Sequence, residues 1–150
     1  MPKPKGALLI SIRPQHADKI FNGIKTVELR RVRPRLKRGD LVLVYVSSPI
    51  KALMGAFEVA SVTGGCPSQI WRKFNGKSGL TKSEFDNYYE GAKQAFAVVL
   101  KRLWKFEKPI KLKQLRRNRT GFRPPQSYHY LTFEEANRIG ALDFKNLSSN

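Results

Sequence analysis

Three charged side chains with complementary chemistry lie within one short segment near the start of the chain. Lys25, Glu28 and Arg30 belong to residues 23–30, and the residues between them are mostly apolar. A lysine ammonium binds a phosphate or polarises a carbonyl group, a carboxylate accepts hydrogen bonds from the amino group of a base, and an arginine holds a carboxylate ionised. These residue types predict a site for a base or nucleotide, in which Lys25 and Glu28 are also candidate catalytic residues.

The spacing of these residues sets a condition on that site. If residues 25–29 form a strand after a helix that stops at Gly23, alternation places Thr26, Glu28 and Arg30 on one face and Lys25 on the other. Lys25 joins Glu28 only if the chain bends where it leaves the helix. The alternative interpretation is a structural Glu28–Arg30 pair with Lys25 in solvent.

A second candidate segment follows two prolines near the end of the chain. Ser127 and Tyr128 come directly after Pro124, Pro125 and Gln126, and this rigid lead would position a hydroxyl group and a ring. The ring could stack a nucleobase or close the core. His16 and His129 have no partners at metal-ligand spacing, so we expect neither a metal nor a cofactor.

The charge balance indicates a polyanionic partner. The 150 residues include 29 Lys and Arg but only 11 Asp and Glu, which gives a formal net charge of +18. Such an excess opposes compaction unless it meets negative charge, and RNA is the favoured partner, with DNA possible. We expect two basic blocks to contact the nucleic acid: Arg30, Arg31, Arg33 and Arg35, and then Arg116, Arg117, Arg119 and Arg123.

Other features predict where the protein acts. The chain has a single cysteine, Cys66, and no run that approaches the roughly 18 apolar residues of a membrane span. Its basic N-terminus lacks the pattern of a secretory signal. We therefore expect an intracellular, cytoplasmic protein without membrane contact, whose protein partners the sequence does not indicate.

The apolar pattern predicts an α+β fold of five or six mostly antiparallel strands with flanking and inserted helices. Strands are expected at residues 7–12, 25–29, 41–46, 52–62 and 95–104, with a bulge or close approach at Gly55 and a break at residues 64–65. Helices are expected after Pro14, Pro67, Pro109 and the capping boxes that start at Thr81 and Thr132. The helix after Pro14 should bury a stripe that ends with Ile24. A small closed or partly open barrel fits this order. We expect a disordered basic lead over residues 1–6, one domain over 7–145 and a frayed tail over 146–150.

The pattern Gly23-x-Lys25-x-x-Glu28-x-Arg30 resembles the signature of the ASCH (activating signal cointegrator homology) domain family. Two further motifs fit this resemblance: Arg38-Gly39-Asp40 before an apolar strand, and Pro124-Pro125-Gln126-Ser127-Tyr128 before a capped helix. The resemblance covers most of residues 7–142. It implies a PUA-like β-barrel with a cleft beside the first helix and an RNA-linked role.

Three functions are compatible with these features. We favour a nucleic-acid-binding module in which the basic blocks hold the backbone and the Lys25–Glu28–Arg30 cleft receives a base. The first alternative is an RNA-processing enzyme, either a ribonuclease or an amidohydrolase of acetylated cytidine. The resemblance implies that such an amidohydrolase carries a Thr three residues after its Lys, and Glu28 at that position argues against it. The second alternative is a regulatory interaction module of a larger complex.

Overall fold

The computed structural model describes residues 6–142, which form six strands and five helices. In chain order these are β1 (Gly6–Ile12), α1 (Pro14–Phe21), β2 (Val27–Arg30), β3 (Leu41–Val46), β4 (Ala52–Gly65), α2 (Pro67–Phe74), α3 (Lys82–Tyr88), β5 (Ala95–Lys111), α4 (Leu112–Asn118), β6 (Tyr128–Thr132) and α5 (Phe133–Arg138). Gly6, which we expected in a disordered lead, belongs to β1. The expectations for residues 1–5 and 143–150, including the frayed tail, lie outside the described residues.

All six strands belong to one sheet in the order β2-β5-β4-β3-β1-β6. Among the strand pairs of residues 6–142, only β1–β3 is parallel, so the expected α+β class with mostly antiparallel strands is confirmed. The backbone ladder does not close into a barrel, because β2 and β6 are its two edges. These edges nevertheless meet through side chains, since Arg30 at the end of β2 donates a hydrogen bond to Ser127, the residue before β6, at 2.9 Å. We call this junction the seam.

The unbroken apolar run of β3 is explained by burial on both faces of the sheet. Leu41, Leu43 and Tyr45 pack into one core with residues of α4 and α5, while Val42 and Val44 pack into a second core with residues of α1. A strand covered on both sides cannot alternate apolar with polar residues. Packing over the second core places α1 next to the seam.

A third, smaller core supports β2. The helices α2 and α3, inserted between β4 and β5, pack Ile70 and Phe85 against Val27 and Leu29 of β2. Because successive strand residues point to opposite faces, this packing turns Glu28 towards the other side of the sheet. The inserted helices therefore fix the orientation of the residue on which the candidate site depends.

The local signals in the sequence succeeded at helix starts and failed at some ends. Both predicted capping boxes, at Thr81 and Thr132, form with reciprocal hydrogen bonds. The stripe predicted through Ile24 is wrong, because α1 ends at Phe21 and Ile24 is 58% exposed. The break expected at residues 64–65 is also wrong, because both glycines pair with the start of β5.

The close approach predicted at Gly55 is confirmed. A Cβ atom there would lie 2.3 Å from the carbonyl oxygen of Trp104 and 2.6 Å from the ring of Phe21. The pairing of β4 with β5 also shifts register between Leu53 and Gly55. A side chain at this position would separate the strands and displace α1, so glycine is required by space rather than by backbone conformation.

Candidate functional site

The chain makes the bend that brings Lys25 to Glu28. Strand β2 begins only at Val27, so Lys25 lies in the turn before it instead of on the strand predicted at residues 25–29. Two backbone hydrogen bonds hold this turn: the N–H of Lys25 donates to the carbonyl of Lys19 at 2.9 Å, and that of Thr26 donates to the carbonyl of Lys77 at 2.8 Å. Lys25 is thereby freed from strand alternation, and its side chain lies on the same side as that of Glu28.

Lys25, Glu28 and Arg30 form a buried chain of ion pairs, which we call the triad. The Glu28 Oε1 atom lies 3.1 Å from Lys25 Nζ, and its Oε2 atom lies 2.8 Å from a terminal nitrogen of Arg30. Lys25 also donates to the carbonyl of Ser78 at 3.1 Å. The residues Lys25 and Glu28 are only 4% and 8% exposed. The interpretation with Lys25 in solvent is therefore wrong.

The electrostatics of the triad keep Glu28 ionised. Burial acts to raise the pKa of its carboxyl group, but the neighbouring cations of Lys25 and Arg30, with their hydrogen bonds, outweigh burial and hold the pKa below its usual range. The carboxylate has one oxygen on each cation. The triad therefore carries one net positive charge in a fixed geometry.

Arg30 connects the triad to the second candidate segment. One of its terminal nitrogens binds Ser127 Oγ, and its guanidinium carbon lies 5.7 Å from the centroid of the Tyr128 ring. The structure thus brings together Lys25, Glu28, Arg30, Ser127 and Tyr128 at the seam. At the end of β2, the hydroxyl groups of Tyr88 and Tyr89 donate hydrogen bonds to the carbonyls of Leu29 and Arg30, respectively.

A cleft of about 450 Å³ opens beside the triad, between α1, the seam and α3; we call it the seam cleft. Its lining includes the triad together with Ser11, Arg13, His16, Glu84, Tyr88 and Gln126. Burial and the nearby Lys25 cation lower the pKa of His16, so its ring is neutral near pH 7. The volume lies within the range of typical ligand pockets.

A second pocket, of about 490 Å³, adjoins the seam cleft and shares Ser11, Arg13 and Gln126 with it. It adds Tyr45, Lys51 and Arg116, so we call it the cation pocket. Arg13, Tyr45 and Lys51 were not predicted as site residues from the sequence. Tyr45 stands in an otherwise apolar strand, and Lys51 follows β3 with a φ of +53°, which non-glycine residues rarely adopt. A tyrosine inside an apolar run was the only available signal.

Of the eight arginines in the two basic blocks, only Arg30 lines the seam cleft. Arg31, Arg33 and Arg35 lie on the loop after β2, outside the cleft lining, and contact the carbonyl of Glu90 and the rings of Phe96 and Tyr130, respectively. In the second block, Arg116 lines the cation pocket, whereas Arg119 and Arg123 line a third pocket of about 330 Å³ at β6. Arg117 is exposed on α4.

Within residues 6–142, no group of three or more His, Cys, Asp or Glu side chains is arranged to hold a metal ion. None of the helices in this described part of the chain is long and apolar enough to cross a membrane.

Comparisons with known proteins give three informative matches. A family described as a domain of unknown function, DUF365, matches residues 7–117. A protein of Zymomonas mobilis named ASCH domain-containing ribonuclease is 31% identical over 134 residues, which are 89% of this chain and 90% of the relative. The crystal structure of ASCH from the same organism superposes with a TM-score of 0.85 at 29% identity, covering 93% of this chain and 96% of that one.

A further relative is much longer than this chain. The large ribosomal subunit protein uL22 of Ureaplasma parvum is 37% identical over 125 residues, which are 83% of this chain. The matched region spans 39% of that protein's length.

Proposed function

Because the chain belongs to the ASCH domain family and has its PUA-like α+β fold, we propose that it binds single-stranded RNA and takes one base into the seam cleft. The observation that carries this proposal is the triad, which places a buried ammonium group at a concave surface. The name of the Zymomonas relative, a ribonuclease, supports RNA as the ligand. The net charge of +18 supports a polyanionic ligand, whether RNA or DNA.

Lys25 supplies the polar group that distinguishes bases. An ammonium group has three donor protons, and in the described structure Lys25 uses two of them, on Glu28 and Ser78. The third proton is available to a ligand in the cleft. A donor in this position binds a base with a carbonyl oxygen on its edge, so we expect uracil, cytosine or guanine to bind and adenine to be disfavoured.

The adjoining cation pocket supports a place for the phosphate. Arg13 belongs to both pockets, and Lys51 and Arg116 lie next to it in the second. A nucleotide with its base against Lys25 can therefore direct its phosphate towards three cations. Arginine is suited to phosphate because its planar guanidinium forms two parallel hydrogen bonds.

Fluorescence anisotropy with labelled oligouridine and oligoadenine tests this proposal. We expect oligouridine to bind tighter by roughly 10- to 150-fold, because a hydrogen bond from a charged donor contributes about 1.5–3 kcal/mol. Lys25→Met should remove most of this difference. Lys19→Met is the matched control, because Lys19 donates to the carbonyl of Gly79, the residue after the Ser78 that Lys25 contacts, but does not line the cleft. Equal affinity of the wild type for both oligomers would overturn base recognition through Lys25.

The salt dependence of RNA affinity tests the proposed phosphate contacts in the cation pocket. Each phosphate neutralised on a single strand contributes about −0.7 to the slope of log affinity against log salt. Three cations in the cation pocket predict a slope of about −2 or steeper. An affinity that does not change with salt would exclude backbone binding by these residues.

A second function, ribonuclease activity, is favoured by the Zymomonas relative, which is matched over 90% of its length. The geometry argues that Lys25 and Glu28, our candidate catalytic residues, position the substrate. Glu28 is a poor proton acceptor, because its pKa is lowered and both of its oxygens are held by cations. The cation pocket is better suited to the reaction, because cleavage places added negative charge on the phosphoryl oxygens in the transition state.

End-labelled RNA distinguishes binding from cleavage. A ribonuclease should release shorter products, and Lys51→Met and Arg116→Met should lower kcat while leaving the fold intact, since both residues are exposed. Arg72→Met, on α2 and outside both pockets, is the matched control. RNA that stays intact with the wild type would reject the ribonuclease and leave the binding proposal standing.

A further inference from the structure

Strand β6 carries a second aromatic residue beyond the seam. β6 pairs with β1 on one side only, because it is an edge of the sheet. Tyr128 lies at the seam, and Tyr130 follows two residues later on the same face, with 5.9 Å between the two ring centroids. The edge strand therefore leads away from the seam cleft with a ring at each alternate position.

Tyr130 and Arg35 form an exposed stacked pair, which we call the Tyr130 platform. The guanidinium carbon of Arg35 lies 4.7 Å from the Tyr130 centroid, and the backbone N–H of Arg35 donates to the tyrosine hydroxyl. Tyr130 is nevertheless 38% exposed, and Arg35 is exposed as well. The hydrogen bond from Arg35 to the Tyr130 hydroxyl is sufficient to attach the loop after β2 to β6. Attachment of the loop therefore does not explain why the tyrosine ring and the arginine guanidinium group remain accessible.

Cations lie beside this platform in the third pocket. Its lining includes Tyr130, Arg119 and Arg123, together with His129 and Glu135. Arg119 pairs with Glu135 at 3.2 Å, whereas Arg123 has no ion-pair partner in the described part of the chain. Burial and the Arg119 cation lower the pKa of His129, so its ring adds no charge near pH 7. The pocket therefore keeps a net positive charge next to an aromatic surface.

We propose that the Tyr130 platform is a second RNA subsite, in which an unpaired base next to the one in the seam cleft stacks on the Arg35–Tyr130 pair. Arg119 and Arg123 bind the phosphate of that nucleotide. Bases of single-stranded RNA stack on aromatic rings and on guanidinium planes, and a duplex does not offer its bases in this way. This inference rests on the proposed function and extends the same binding path along β6.

RNA length separates the two subsites in an anisotropy or competition experiment. Uridine monophosphate reaches only the seam cleft, whereas an oligouridine hexamer reaches both sites. Tyr130→Leu should weaken binding of the hexamer by about 5- to 150-fold, since stacking of one base is worth about 1–3 kcal/mol, and should not change binding of the monophosphate. Tyr130→Phe retains the ring and should stay within about threefold of the wild type.

Arg123→Gln provides an independent test of the phosphate contact. It should reduce the magnitude of the salt slope for the hexamer by about 0.7, whereas Arg72→Gln, the same charge change on α2, should leave the slope unchanged. If Tyr130→Leu and Arg123→Gln both bind the hexamer like the wild type, the second subsite is rejected and the proposed function stands. If the wild type binds neither ligand, the proposed function fails and the subsite fails with it.

Discussion

The triad makes a quantitative prediction through Glu28→Gln. The substitution keeps the size of the side chain but removes the charge that pairs with Lys25 and Arg30. Both cations are then left without a counter-charge in a region where the Lys25, Glu28 and Arg30 side chains are only 4%, 10% and 14% exposed. Removing one partner of a buried ion pair costs about 3–5 kcal/mol.

The expected loss lies at the lower end of that range. The amide oxygen of glutamine still accepts a hydrogen bond from one cation, so we expect about 3 kcal/mol of lost unfolding free energy. For a chain of this size, this lowers Tm by roughly 6–12 °C. Asp86→Asn is the control, because its pair with Lys82 on α3 is more than half exposed and should contribute at most about 0.5 kcal/mol.

The pH dependence gives a second measurement on the same pair of proteins. The pKa of Glu28 is lowered in the folded state, so its stabilisation is complete above the ordinary value of 4.5 and is lost as pH falls through the lowered value. In urea unfolding, the difference between wild type and Glu28→Gln should therefore be full at pH 7 and narrow below about pH 4.5. A difference under about 1 kcal/mol at pH 7, or one that persists unchanged into acid, would refute the triad as an ionised, stabilising unit.

Two further changes test the surroundings of the site. Burial and Lys25 lower the pKa of His16 in the folded state, so the unfolded chain binds the proton more tightly and the wild type loses unfolding free energy as pH falls from about 6.5. His16→Gln should remove this loss, which urea titrations at several pH values would measure. Gly55→Ala should lower the unfolding free energy in urea by about 2–3 kcal/mol, because the new methyl group meets the Trp104 carbonyl and the Phe21 ring. The control is Ser61→Ala, at an exposed position of the same strand, which should change the unfolding free energy by less than about 0.5 kcal/mol.

Local signals carried most of the fold prediction. The capping boxes at Thr81 and Thr132 were identified correctly because their hydrogen bonds join residues three apart. The extension of β4 through Gly65 was missed because it depends on pairing with Ala95, thirty residues later. The sheet order, with β6 beside β1, is likewise a product of long-range packing that no local pattern contains.

The residues of the candidate site were predicted from their types, and the bend that joins Lys25 to Glu28 was predicted only as a condition. Strand alternation separated Lys25 from Glu28, but the N–H groups of Thr26 and Val27 both bind the carbonyl of Lys77, a tertiary contact that delays the start of β2. The sequence contains no sign of this contact. Lys51 was missed for a similar reason, since only the fold of the β3–β4 connection places it beside Arg116.

The free-energy cost of burying three charged side chains raises the question of why the triad lies at the seam. A buried ion pair is weak evidence for stability, because apolar side chains of similar volume often stabilise a protein equally well or better. Apolar residues would also close the junction between β2 and β6, as they do in the cores on either side of the sheet. What apolar residues cannot supply is a fixed positive charge with a spare donor proton at the wall of a cleft. The triad has both, and its carboxylate holds the two cations in place, which would reduce the reorganisation that the proposed RNA binding requires. Replacing all three residues together by apolar ones (Lys25→Met, Glu28→Leu and Arg30→Met) separates these roles without leaving an unpaired buried charge. If the triad serves only to close the seam, this triple variant should bind RNA like the wild type.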